Sequence, residues 1–86
     1  MDVGALYSDD AEQRMQPLLT LRHAPEAHLR AALPHLIRFM YSATVDELVI
    51  VTQLLHGTSD RRAVEALVRM TEHPDARVRA AAKHPS

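Results

Sequence analysis

Only three aromatic residues, Tyr7, Phe39 and Tyr41, occur in 86 residues, with no tryptophan and no cysteine, and this shortage limits the kind of core the chain can build. The core has to be aliphatic, and its material is 13 alanines and 11 leucines against 2 glycines. Ala and Leu lose little on entering a helix and Gly loses most, so the composition favours an all-α fold. An all-β domain would need more β-branched residues, aromatics and turn glycines. The length suits one domain, residues 1–86, whose thin core removes only about 60–65% of the unfolded surface from water. Without cysteine, disulfide scaffolds, cysteine-bearing zinc sites and thiol catalysis are excluded.

Ten cations against eleven anions leave a net charge of −1, which speaks against a strongly electrostatic binder of nucleic acid or membrane. Nine of the ten cations are Arg, and with the many alanines this resembles GC-rich bacterial coding. The first ten residues carry Asp2, Asp9 and Asp10 and no basic or apolar leader, so no signal peptide is expected. The longest aliphatic run, Leu48 to Val51, is far too short to span a bilayer. The expectation is a cytoplasmic protein with no membrane association.

Punctuation divides the chain into five short helices. Ser8, Asp9 and Asp10 cap a first helix with Ala11, Met15, Leu18 and Leu19 on one stripe, and Pro17 is expected to kink or split it. Pro25 suits the first position of a second helix, striped by Leu29, Leu33, Leu36, Ile37 and Met40, with a bend expected at Pro34. Thr44-Val-Asp-Glu47 reads as a capping box and Gly57 as a terminator, bounding a helix over 44–56. Ser59 or Asp60 caps a fourth helix, in which Val64, Leu67, Val68 and Thr71 share a face. His73-Pro74-Asp75 ends it, and a short last helix turns Val78, Ala81 and Ala82 inward.

Residues 18–35 align without gaps on residues 67–84, at an offset of 49. Pro25, Ala27, Arg30, Ala31, Ala32 and His35 fall on identical residues, and Glu26 falls on Asp75. Helical periodicity accounts for matched apolar positions but not for a proline, an acid and an arginine in the same register. Self-similarity at such a period marks helical arrays. The unit His73-Pro74-Asp75-Ala76-Arg77-Val78-Arg79-Ala80-Ala81-Ala82 resembles the HEAT/armadillo class, and is also similar to the leucine-rich repeat variant. The resemblance implies a right-handed HEAT/armadillo-like helical array, with copies at about 9–41 and 60–84 and a spacer helix at 44–56. It gives structural roles to Asp75 as a cap, to Val78 as packing and to Arg79 as a reach to a neighbouring turn, with Glu26, Leu29 and Arg30 as the counterparts in the first copy. An irregular helical bundle is the alternative architecture.

The residues offer little chemistry. Gly4 and Gly57 stand alone, so no glycine-rich phosphate loop is present, and no Ser sits in a nucleophile elbow. Six histidines include His28 and His35 on one helix face, but none are spaced i, i+4; no metal or cofactor is expected. An enzyme is not expected. The reading is a non-enzymatic protein-interaction module, a small adaptor or regulatory subunit, with a protein partner or self-association. Its alternative is a nucleic-acid-associated protein using Arg61, Arg62, Arg69, Arg77 and Lys83. The 44–56 helix is apolar nearly all round, and four short helices are expected to cover one side only. Ile50, Val51 and Leu54 on the other side are then the expected interface.

Overall fold

Each helix but one begins where a short side chain offers an acceptor to its first free amides. The computed structural model describes residues 3–84. In it a short 3-10 turn, Val3–Tyr7, precedes α1 (Ala11–Leu21), α2 (Glu26–Phe39), α3 (Val45–Leu55), α4 (Arg61–Met70) and α5 (Ala76–Lys83). Among the described residues there is no strand. Asp10, Asp60 and Asp75 each accept the backbone amide two residues on, at 2.9, 2.8 and 2.8 Å. At α3 the capping box is complete: the Glu47 amide donates to Thr44 Oγ1 at 3.3 Å, and the Thr44 amide to Glu47 Oε1 at 2.9 Å. The exception is α2, where Pro25 is the residue before the first helical one and makes no side-chain cap. Neither internal proline splits its helix: α1 runs on through Pro17 and α2 through Pro34. Gly57 does not terminate α3 in a left-handed conformation, since no glycine has a positive φ among the described residues. Its lack of a side chain serves close approach instead. A Cβ there would lie 3.1 Å from Leu29 Cδ1 and 3.2 Å from the Leu54 carbonyl.

The centre of the molecule is α3, which packs against α1, α2, α4 and α5. That arrangement corrects the expected interface. Val51 is 0% exposed, Leu54 is buried and Ile50 is partly buried against the same core. A helix apolar all round is covered all round here, because its neighbours approach from both sides. The rest of the core comes from Leu18 and Leu21 of α1 and from Leu29, Leu33, Leu36 and Phe39 of α2. Leu6 of the N-terminal turn is buried among them, a core position the acidic lead-in did not announce.

One ionic link ties three segments together. Arg14 of α1 donates from Nε to Glu47 Oε2 at 2.8 Å and from Nη1 to the Ser8 carbonyl at 2.8 Å. Only 2% of the Glu47 side chain is exposed. Burial by itself would raise the Glu47 carboxyl, but the Thr44 amide, the Arg14 hydrogen bond and the Arg14 charge together hold it below its ordinary value.

A second buried polar group has no such support. Thr52 Oγ1 on α3 is buried with no hydrogen-bond partner. Leaving a hydroxyl dry and unpaired costs about 1–3 kcal/mol, whereas an apolar group of the same shape carries no such penalty. Thr52→Val is therefore expected to be neutral or to raise stability by about 1 kcal/mol, read from the denaturant midpoint. A clear loss would mean that the hydroxyl is bonded.

Candidate docking surface

The outer side of α4 leaves two apolar side chains in water, as Leu19 of α1 is left at 39% exposure. Asp60 starts the helix, and its carboxylate also takes two bonds from the Arg62 guanidinium, both at 3.0 Å. That side-chain bond, then the Arg62 amide, lowers the Asp60 pKa to about 2. From this start the helix turns Ala63 and Ala66 fully inward, with Leu67 and Met70 partly buried. Two alanines on the inner stripe let α4 lie close to its neighbours, and the bulkier Val64 and Val68 are left outside, 51% and 59% exposed. The face expected from hydrophobicity, Val64, Leu67, Val68 and Thr71, is thus rotated by about 100°, the step of one residue.

Beside this pair, Arg69 Nη1 donates to the hydroxyl of Tyr41 at 3.1 Å, and Tyr41 is 79% exposed. Ile37, Met40, Tyr41, Arg69 and Met70 line a shallow pocket of about 150 Å³. Tyr, Arg and Met are residue types enriched at the centres of protein interfaces. No sequence periodicity pointed to Tyr41, because it lies in the turn after α2 and meets α4 only in the folded chain. That it is one of only three aromatics in the chain was the one available signal.

The cations expected to form a basic face lie on two helices and mostly face acceptors. Arg62 is held by Asp60, Arg77 reaches Asp46 at 3.3 Å and Asp75 at 3.5 Å, and Arg61 lies 3.9 Å from Glu65. Arg69 is engaged by Tyr41, and Lys83 is exposed at the end of α5. The surface is of mixed charge rather than a cationic strip.

The residues given structural roles behave as follows. Asp75 caps α5, and the Arg77 amide bond is the main reason its carboxyl lies below its ordinary pKa. Val78 is fully buried. Arg79 differs from expectation: it clamps its own turn, donating from Nη1 to the His73 and Pro74 carbonyls at 2.7 Å each, and not a neighbouring unit's turn. Leu29 is buried, while Glu26 and Arg30 pair on the surface at 2.7 Å. Glu26 also accepts the Ser59 amide at 3.3 Å. Asp75→Ala is expected to cost about 1 kcal/mol, the usual worth of such a cap, and denaturant melts measure it.

His28 and His35 line a cleft of about 330 Å³ with Thr20, Leu21, Ala31 and Ala32, between α1 and α2. His56 Nε2 instead lies 3.0 Å from the Ala81 carbonyl, joining α3 to α5. Among the described residues no three His, Asp or Glu side chains gather as a metal-binding group, and no helix is long and apolar enough to cross a membrane. Comparison with family models, with curated proteins and with solved structures gives no match.

Proposed function

We propose that this chain is a non-enzymatic protein-interaction module and that α4 is its docking element. The observation that carries the reading is the pair Val64 and Val68, more than half exposed one turn apart on a helix whose inner side buries Ala63 and Ala66. Apolar pairs of this kind, beside an exposed Tyr and an Arg, are what partner helices cover. The scaffold presenting them is proposed to be a degenerate HEAT/armadillo-like array of two helix–turn–helix units around α3. In support, the 49-residue shift lays the end of α1 at Leu21 on the end of α4 at Met70, and the start of α2 within one residue of the start of α5. The two units are not equal: α4 and α5 pack on each other as well as on α3, whereas α1 rests on the N-terminal turn and α3, and α2 on the N-terminal turn, α3 and α4.

Photo-crosslinking tests the reading. A benzophenone side chain replacing Val68 is expected to give protein adducts in the native host, lost when Val64→Glu is added. The same probe at exposed Ala27 is expected to give none. Equal adducts at both positions, or none at either, would remove the reading. A nucleic-acid shift assay at low salt is expected to show no complex, since phosphate-driven binding is strongest there.

A further inference from the structure

We propose that the seat of Leu6 on α1 and α2 is a second docking site, closed in the free chain by the chain's own Val3–Tyr7 turn. Its external occupant is a short helical turn of a partner protein that presents a leucine-sized side chain and, two residues on, a free backbone carbonyl. The proposal is independent of the role given to α4.

The occupant is read from the segment that already sits there. Val3–Tyr7 is a single short 3-10 turn lying on α1 and α2. Within residues 4–7 only Leu6 is buried, at 2% exposure, while Tyr7 is 52% exposed. Leu6 enters the apolar cluster that holds Leu18, Leu33 and Leu36. The turn is thus attached as a docked peptide is, by one apolar anchor in a seat built from other elements. It is also loosely framed. An open cleft of about 560 Å³ runs beside Gly4 and Ala5, bordered by Gln13, Gln16 and Thr20 of α1. Another of about 310 Å³ borders Leu6 and Tyr7 on the side of Arg14 and Ser42.

The seat keeps a polar recognition group when the turn leaves. Arg14 donates from Nη1 to the Ser8 carbonyl and from Nε to Glu47 Oε2, each at 2.8 Å. Glu47 is buried on α3, so it holds the guanidinium in place without help from the turn. Arg14 Nη1 then meets the carbonyl of any segment whose anchor fills the Leu6 position, in a charge-assisted bond. An apolar seat with one fixed donor at its edge suits a peptide backbone better than a free apolar molecule, which would leave that donor unused.

A turn with a single anchor is displaceable. Burial of one leucine favours the closed form by a factor of about 10–100, less than the whole core favours the folded chain over the unfolded one. Opening of the turn therefore precedes global unfolding. Divided into a millimolar effective concentration for a tethered segment, that factor gives a dissociation constant on the order of 0.1 mM for the same segment supplied from outside.

The probe is a capped peptide of residues 3–10, titrated into the labelled full chain and followed by amide NMR, with circular dichroism to confirm folding. Leu6→Asp and the milder Leu6→Ala are expected to stay folded and to bind the peptide, with shifts concentrated on α1 and α2. The wild type is expected to bind at least tenfold more weakly, because its own turn occupies the seat. A peptide that itself carries Leu6→Asp is expected to bind none of the three. Equal binding by wild type and variants, shifts away from α1 and α2, or no binding to a folded variant would overturn the proposal. Unfolding of both variants would also overturn it, since Leu6 would then be an inseparable part of the core.

Discussion

Replacing Arg14 with alanine is expected to remove most of the stability of this fold. The substitution leaves Glu47 charged and buried, still bonded to the Thr44 amide but without its counter-ion. Breaking a buried ion pair from one side costs about 3–5 kcal/mol. A domain of this size has a total stability near the lower end of about 5–15 kcal/mol. The same change also frees the Ser8 carbonyl that Arg14 holds, and with it the turn carrying buried Leu6. The pH dependence has a definite sign. In the wild type the Glu47 pKa is depressed on folding, so its contribution is present above the unfolded carboxylate value and is lost as pH falls through the folded one. In Arg14→Ala only the bonds from Thr44 still oppose the burial that raises the carboxyl, so the Glu47 pKa lies higher than in the wild type. The difference in stability between wild type and variant is therefore largest near neutral pH and shrinks in acid, where Glu47 is protonated in both. Urea melts of the two proteins at neutral and acid pH read this directly, and a difference that stays constant or grows in acid would refute the role given to the ion pair.

Val51→Glu is expected to have an equally large effect, and its contrast with Val64→Glu is informative. Val51 is 0% exposed on the helix that touches all four others, so a glutamate there is an unpaired charge in the centre of the core. Loss of several kcal/mol, enough to unfold the chain, is expected. Val64 is half exposed, and the same substitution there is expected to change stability by no more than about 0.5 kcal/mol. Circular dichroism separates the two: helical signal lost for Val51→Glu, kept for Val64→Glu. A folded Val51→Glu protein would put α3 back on the surface.

These two variants also show which part of the molecule was legible in the sequence. The helix starts were, because a cap is a local matter: Asp10, Thr44 with Glu47, Asp60 and Asp75 each act on amides two or three residues away. The stripe of α2 was also legible, since Leu29, Leu33 and Leu36 repeat at helical spacing and are all buried. The orientation of α4 was not. Hydrophobicity ranks valine above alanine, but packing selects by volume as well, and Ala63 and Ala66 permit an approach that Val64 and Val68 would block. The place of α3 was not legible either, because a helix apolar on every side reads the same whether its second side meets the rest of the chain or a partner. The Arg14–Glu47 link joins residues 33 apart, and no local pattern marks it. The candidate surface combines the second and third kinds of information: two valines displaced by alanines, and Tyr41 brought to Arg69 by tertiary packing.

The claim that α4, and not α3, meets the partner is tested most directly by amide NMR spectra of the labelled chain recorded without and with an extract of its native host. Shift changes are expected to concentrate on residues 61–72, with the Val64 and Val68 signals moving most and those of Val51 and Leu54 remaining still. Changes centred on α3, or none on adding the extract, would contradict the account.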